Sequence, residues 1–406
     1  MKNKKTETLH LFEVEKKHLI LNHHTHLQSS SYTLIFAISI SFVSVFTFCC
    51  FLSMATYFKD KFNPDMYNKV IFCVYFGSVT ALLIYKQIAE RVAAGRLIMS
   101  LIAANLICSV AILIIGETMQ KNSFLKILIG SVVVFFVGLN GNLLQCSAIN
   151  ICFQYDHKIK SFYTGGFALS GVTSTTVAMI QIYFVSETEI FRSAFYYMIF
   201  HATICIGVFI ISWKYFQKHP EHNICYPSIE KSDEGVFKIS LWHTFTIVYP
   251  LLISISFIFF MGIVMPVLCA LGLKLGIDNR PSLTVQIVFL IYRISEFISN
   301  ISYSWLKLEN LTAAHTLALS KIFLIVIPIL ALSGSDIASL RDNWKITITL
   351  VILEGILKGY INSCLFNLAS CRVSQPHLSN TSYLCQIFLM VGMLYGSFTN
   401  MVGTSN

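Results

Sequence analysis

Five ionisable residues stand in the middle of long apolar stretches, where a charge is costly. Three are basic and two are acidic: Arg293, Lys321 and Lys358, with Glu296 and Glu354. At the centre of a bilayer each charge costs at least about 2.5–3.5 kcal/mol, so such side chains line a wet cavity or pair with each other. Glu354 with Lys358, and Arg293 with Glu296, are close enough to pair within one helix, whereas Lys321 has no such partner. We interpret the group as a substrate or gating site at the membrane midplane; the alternative is that the pairs only brace the helices.

The composition indicates a membrane protein. Of the 406 residues, 55% are hydrophobic and only 12% are charged, and the mean hydropathy is +0.68. Soluble domains carry about 25% charged residues, so a soluble enzyme is excluded. The net charge of +9 is spread between apolar runs without clustered aromatic residues, so we expect no nucleic-acid partner. The polar segments show no nucleophile–base pair, metal cluster or phosphate-binding loop, and we therefore expect neither enzymatic activity nor a cofactor.

Eleven apolar runs are each long enough to cross a bilayer as a helix, which takes about 20 residues. The longest polar stretch after the N-terminal tail separates six runs from five. The sequence therefore predicts an all-α polytopic membrane protein with a tail at 1–31, a six-helix bundle at 32–213, a loop at 214–241 and a five-helix bundle at 242–406. The runs cover residues 32–56, 69–86, 97–116, 125–150, 162–185, 193–213, 242–272, 282–305, 311–332, 346–369 and 380–402.

The distribution of basic residues predicts the orientation. Counting alternate connections, sixteen Lys and Arg residues fall on the side of the N-terminus and ten on the other. Because cytosolic loops carry the excess of positive charge, we expect the N-terminus and the central loop in the cytosol and the C-terminus outside. The plasma membrane is the expected location. Tryptophan prefers the membrane interface, and all four tryptophans fall at run ends. They are Trp213, Trp242, Trp305 and Trp344.

Small residues four positions apart predict close contacts between helices, because they let two backbones approach. Examples inside the apolar runs are Gly166 with Ser170, Gly355 with Gly359, and Gly392 with Gly396.

Several segments together resemble the equilibrative nucleoside transporter family. The similar segments are FCCFLSMATYF at 48–58, GNLLQCS at 141–147, FYTGGFALSG at 162–171, Met265-Pro266, the Lys321 to Pro328 stretch, and the last two runs from Gly359-Tyr360 to Gly396-Ser397. Phe48 and Cys49 stand where the family has Trp and Asn. In the eighth run, Arg293 stands where the family has Asp, and Phe297 where it has Arg.

The resemblance implies eleven spans in a six-plus-five, pseudo-two-fold, major-facilitator-like arrangement that works by alternating access as a monomer in the lipid bilayer. It also implies facilitative transport of a small solute, a nucleoside or nucleobase. Phe48 would stack on the base, Gln145 would read its edge, and the charged residues would contact the sugar or link the halves. The predicted substrate-binding residues are Phe48, Cys49, Leu52, Gln145, Met265, Arg293, Glu296 and Lys321.

Other functions stay open on the same fold. A cation at position 293 cannot accept hydrogen bonds from sugar hydroxyls, and the midplane charges sum to a positive value, which favours an anionic nucleotide-like or organic-acid solute. Proton coupling through Glu296 or Glu354 is a further variant. A non-transporting receptor or scaffold is the alternative from another functional class.

Overall fold

The computed structural model describes residues 30–184, 190–223, 241–272, 281–332, 344–374 and 377–403. The regular elements in this part of the chain are twelve α-helices and one short 3₁₀ turn. The predicted tail and most of the predicted central loop lie outside the described residues. The helices are α1 Ser31–Ser53, α2 Ala55–Lys61, α3 Met66–Arg91, α4 Ala94–Thr118, α5 Phe124–Cys152, α6 His157–Phe184, α7 Ile190–Lys218, α8 Leu241–Gly272, α9 Pro281–Ser302, α10 Leu311–Leu332, α11 Trp344–Cys371 and α12 Leu378–Gly403.

The helices suit a bilayer in length and composition. Among the described residues, seven helices are long and apolar enough to span a membrane: α1, α3, α4, α5, α7, α8 and α11. The side chains of all four tryptophans are exposed and lie at or near helix ends, as predicted for a membrane interface. The chain is therefore an integral, multi-pass membrane protein.

Helix starts and breaks follow local chemistry. The hydroxyl of Ser30 accepts a hydrogen bond from the backbone N–H of Thr33 (3.1 Å), and Ser123 caps α5 in the same way. The first predicted run is not one helix, because the backbone turns at Met54 (φ −90°, ψ 25°) and the short α2 follows. Helix α8 continues through Pro250 and Pro266.

Helix pairs of the first half recur in the second half. In the first half, α1 packs on α6 and α5, while α5 also contacts α3 and α4. In the second half, α8 packs on α12 and α11, while α11 also contacts α9 and α10. The two halves meet mainly where α6 packs on α9, with smaller contacts of α6 with α11 and of α12 with α5 and α3.

Glycines lie where these helices touch, which confirms the predicted close contacts. A Cβ atom on Gly355 would lie 2.6 Å from the carbonyl oxygen of Tyr292, and one on Gly359 would overlap that of Glu296. A Cβ atom on Gly166 would likewise lie 2.5 Å from the oxygen of Ile38. The backbones of α9 and α11 therefore touch at Gly355 and Gly359. This contact fixes the positions of the charged residues along the axes of both helices.

Candidate functional site

A cavity of about 90 Å³ lies between the two halves. Its walls come from α1, α3, α5 and α6 on one side and from α8, α9, α11 and α12 on the other. Most of the lining is apolar, with a few polar and charged groups, as in many small-molecule sites. The lining residues include Phe48, Cys49, Asn142, Gln145, Arg293, Glu296 and Lys358.

A cluster of three charges forms one wall of this cavity, and we call it the cavity cluster: Arg293, Glu296 and Lys358. The Nη1 atom of Arg293 donates to one oxygen of Glu296 (2.7 Å), and the Nζ atom of Lys358 lies 2.8 Å from the other. The Glu296 and Lys358 side chains are almost fully buried, whereas 26% of the Arg293 side chain is exposed. One carboxylate therefore neutralises one of two cations, and the cluster carries a net positive charge.

Two glycines make room for the two cations. A Cβ atom on Gly171 of α6 would lie 2.7 Å from the Cδ atom of Arg293. The Arg293 side chain therefore packs directly against the helix backbone of the other half at Gly171. A Cβ atom on Gly262 of α8 would lie 2.7 Å from the Cδ atom of Lys358. The Nζ atom of Lys358 also stands 5.3 Å from the ring centre of Phe259, a favourable distance for a cation over an aromatic face.

A second ion pair is sealed away from the cavity, and we call it the sealed pair: Lys321 and Glu354. The Nζ atom of Lys321 on α10 lies 2.6 Å from Oε1 of Glu354 on α11, and the side chains are 0% and 1% exposed. Lys321 was predicted to contact the solute, but it does not line the cavity. The predicted pair of Glu354 with Lys358 is also corrected, because each of these two residues pairs with a charge on a neighbouring helix instead of with the other.

On the opposite side of the cavity, three side-chain amides are joined by hydrogen bonds. The Nε2 atom of Gln386 donates to Oδ1 of Asn142 (2.7 Å) and to Oε1 of Gln145. The Nδ2 atom of Asn142 in turn donates to the carbonyl oxygen of Ser78 (2.7 Å). These bonds link α5 of the first half to α12 of the second. Phe48 lies nearby, with its ring edge-on to that of Tyr75 at 5.9 Å.

The structure thus brings most of the predicted site residues to one place. Phe48, Cys49, Gln145, Arg293 and Glu296 line the same cavity. The side chains of two further predicted residues, Leu52 and Met265, lie outside the described part of the chain. The sequence analysis included Lys358 in the midplane group of charges but not among the substrate-binding residues, and it did not predict a role for Asn142 or Gln386.

Polar contacts close the cavity on the side where α1 begins, which we call the base of the bundle. There the Nζ atom of Lys160, which is almost fully buried, donates to Oγ of Ser370 (2.5 Å) across the two halves. Lys160 is one of the sixteen basic residues counted in connections on the side of the N-terminus. Lys126, one of the ten counted on the other side, lies at the opposite end of the bundle, where its Nζ atom is also buried and donates to the Gly116 carbonyl oxygen (2.7 Å). Other contacts near the base are Thr164 with Ser363 (2.6 Å), Ser161 with the carbonyl of Asn300 (2.8 Å), Asn150 with Ser379 (3.3 Å) and Tyr383 with the carbonyl of Leu82 (2.8 Å).

Comparison with known proteins defines the fold. No protein-family model matches the chain, and none of the curated proteins is similar to it in sequence. Two crystal structures of a bacterial homologue of the iron transporter ferroportin, in an outward-facing state, share its fold. One has a TM-score of 0.61 at 12% identity and covers 90% of this chain and 92% of its own. The other, soaked with iron, has a TM-score of 0.62 at 12% identity and covers 91% of each chain. The chain therefore has the fold of these membrane proteins.

Proposed function

We propose that this protein is a membrane transporter that carries a small organic anion by alternating access. The observation that carries the proposal is the net positive charge of the cavity cluster. Both oxygens of Glu296 are already engaged by Arg293 and Lys358. The carboxylate is thus neutralised, and the remaining charge belongs to Arg293, whose side chain is partly exposed at the cavity wall.

The chemistry of Arg293 favours an anion. A guanidinium has five N–H donors and no acceptor, and its planar fork matches the two oxygens of a carboxylate or a phosphate. A metal cation in the same place would face two positive side chains and a carboxylate with no free oxygen. An organic acid or a phosphorylated solute would instead complete the hydrogen bonding of Arg293, while the apolar wall would cover its carbon skeleton.

The transport cycle that we propose rests on two rigid halves. Eleven helices would span the bilayer in a six-plus-five, major-facilitator-like arrangement, with α2 as a short helix between spans. The recurrence of helix pairs in the two halves supports this pseudo-two-fold relation. The halves would rock about the cavity, and the contacts at the base would have to break before the cavity opens on that side. The excess of basic residues supports a cytosolic base and an N-terminus on the same side.

Uptake into proteoliposomes tests the proposal. The purified protein is supplied with labelled mono- and dicarboxylates, nucleoside monophosphates, neutral nucleosides and ferrous iron. We expect saturable uptake of an anion, reduced at least about tenfold by Arg293→Gln, since a hydrogen bond to a charged group contributes about 1.5–3 kcal/mol. Arg293→Lys keeps the charge and retains part of the uptake, and Lys86→Gln, an exposed position at the end of α3, is the neutral control.

Two results would overturn the proposal. One is uptake of neutral nucleosides or of iron without uptake of any anion. The other is anion uptake that is as fast in Arg293→Gln as in the parent protein.

A nucleoside or nucleobase is a second candidate, because one observation favours it. Phe48 and Gln145, the residues that the family resemblance assigns to the base, line the same cavity as Arg293. An aromatic face can stack on a base, and a glutamine amide offers one acceptor and two donors for its edge. The nucleoside arm of the uptake panel distinguishes this candidate from the first.

A further inference from the structure

A cluster of three metal-ligating side chains lies at the end of α7, outside the cavity. It belongs to the four-residue segment His219-Pro220-Glu221-His222. The Nδ1 atom of His219 lies 3.0 Å from Oε1 of Glu221, and the Nε2 atom of His222 lies 4.0 Å from the same oxygen. One donor atom from each of the three residues falls within 4.8 Å of the others. Two imidazole nitrogens and a carboxylate oxygen form a ligand set typical of zinc and related divalent metals.

The spacing of the donor atoms fits a single ion. Zinc bonds of about 2.0–2.2 Å in tetrahedral geometry place neighbouring donors about 3.3 Å apart. The observed distances of 3.0 Å and 4.0 Å lie on either side of this value, so small side-chain rotations would bring the three donors around one ion. Three protein ligands would leave the fourth position open to water or to another ligand.

The backbone holds these ligands in place before any ion binds. The N–H of His219 donates to the carbonyl of Tyr215 (2.9 Å) at the end of α7, and the N–H of His222 donates to the carbonyl of His219 (3.1 Å). Pro220 begins the 3₁₀ turn that carries Glu221 and His222. The turn therefore presents three donors on one short, hydrogen-bonded segment, which lowers the cost of assembling a site.

The surroundings give the cluster one buried and one open side. The side chain of His222 is 3% exposed, while Glu221 is 55% exposed. The hydroxyl of Tyr155 lies 2.9 Å from Nε2 of His222 and 2.8 Å from the hydroxyl of Tyr215. When an ion binds Nε2 of His222, the Tyr155 hydroxyl therefore still has Tyr215 as a hydrogen-bond partner.

We propose that His219, Glu221 and His222 bind one divalent transition-metal ion, with zinc as the best match to the ligand set. The site is exposed at the base of the bundle and is separate from the cavity, so the bound ion is not the transported solute. By joining the end of α7 to the 3₁₀ turn that follows it, the ion stabilises the base of the first half.

Metal binding to the full-length protein in detergent tests this proposal without reference to transport. The tail histidines His23, His24 and His26 are replaced by Asn in every sample, because they offer competing ligands. Zinc is titrated in competition with a chromophoric chelator, and cobalt is titrated in parallel for the visible bands of a tetrahedral nitrogen–oxygen site. We expect one ion per chain, and a higher melting temperature when the ion is bound.

The variants use the two accessible ligands, so that a folding defect at the buried His222 does not confuse the result. His219→Ala and Glu221→Gln each weaken zinc binding at least about tenfold, as loss of even a supporting contact to a metal ligand costs about 10–100-fold. The matched controls are His243→Ala and Glu90→Gln, an exposed histidine and an exposed acid at the same end of the bundle, and they leave the affinity unchanged. Absence of saturable binding, or equal affinity in the variants and the parent, overturns the proposal.

Discussion

The cavity cluster and the sealed pair contain the same kinds of side chain at a similar depth, yet they have different surroundings. Lys358 and Glu354 stand one turn apart on α11 and pair with different helices. In the cavity cluster, the Arg293 side chain is 26% exposed, whereas the side chains of Lys321 and Glu354 are 0% and 1% exposed. The comparison teaches that a charge inside a membrane helix marks a binding site only where a cavity reaches it.

The hydrogen bonding of the two groups differs as well. Each oxygen of Glu296 contacts its own cation at 2.7–2.8 Å. In the sealed pair, neither oxygen of Glu354 nor the Nζ atom of Lys321 has a partner in hydrogen-bond geometry among the described residues, although the two charges touch. Burial of a charge costs several kcal/mol, and attraction within a pair repays this only partly. We therefore assign the sealed pair a bracing role between α10 and α11.

The largest expected effect comes from breaking the sealed pair. Lys321→Met leaves the carboxylate of Glu354 buried without its cation, and removal of one partner of a buried pair costs about 3–5 kcal/mol. We expect a lower free energy of unfolding and a lower melting temperature in detergent, while the protein that remains folded binds the transported anion as before. Thermal unfolding and equilibrium binding are measured on the same preparation.

The double variant Lys321→Met with Glu354→Leu is the control for this prediction. Replacing both charges by apolar residues of similar volume is often neutral or stabilising, so the double variant should recover most of the stability. A single variant as stable as the parent would show that the pair contributes nothing to folding. A double variant that has lost anion binding would contradict the separation of this pair from the cavity.

The sequence predicted the positions of these charges but not their partners. Helical spacing correctly gave the Arg293–Glu296 pair, because both residues lie on one helix. It could not give Lys321 with Glu354, or Glu296 with Lys358, because those contacts depend on which helices pack together. Only the glycine pairs in the sequence indicate where a helix contacts another helix, and they do not identify which helix that is.

The same limit explains why two buried lysines were assigned to loops and why the ligands of the proposed metal site were not predicted. Lys160 follows a polar segment in sequence and was therefore counted outside the membrane, but α6 already begins at His157 and buries this side chain. His219, Glu221 and His222 follow no long-range metal spacing, and a local turn brings them together. By contrast, the long helices and the tryptophans at their ends follow from hydropathy alone, which needs no knowledge of tertiary contacts.

The same substitution in the two regions sharpens the comparison. Glu296→Gln removes the charge that neutralises the cavity cluster, so we expect the affinity for the organic anion to rise about tenfold. Glu354→Gln removes a carboxylate that does not line the cavity, so we expect the affinity to change less than about twofold while stability falls. Both dissociation constants are measured by titration calorimetry on the purified protein.

Equal effects of Glu296→Gln and Glu354→Gln on the affinity would break the distinction between the two regions. A loss of anion binding in Glu296→Gln would mean that this carboxylate is needed to position Arg293. In that case the cluster would act as a rigid structural unit and not as a source of free positive charge.

A smaller effect is expected from the glycine beneath Arg293. Gly171→Ala places a methyl group against the Cδ atom, so the guanidinium must move while the helices stay in place. If the guanidinium moves from 4 Å to 5 Å from the bound anion at an effective dielectric constant of about 20, the attraction falls by about 0.8 kcal/mol and the affinity by about fourfold. Gly165→Ala on the same helix is the matched control, because its Cβ atom would lie 3.5 Å from Ile301, an ordinary contact. The two affinities should differ; identical values would contradict a role of Gly171 in placing Arg293.

The smallest expected effect concerns Phe48, and it separates the two candidate solutes. If the solute is an organic anion held by Arg293, Phe48 is only part of the apolar wall, and Phe48→Leu should change the affinity less than about twofold. If the solute is a nucleoside, loss of an aromatic stack costs about 0.5–1.5 kcal/mol, or about two- to tenfold in affinity. Val45→Leu, at another cavity-lining position on α1, is the control for a general change in cavity shape. A large loss of affinity in Phe48→Leu, together with little change in Arg293→Gln, would show that the aromatic side chain and not the charged cluster provides the binding energy. The cavity cluster would then only brace the helices, as the sealed pair does.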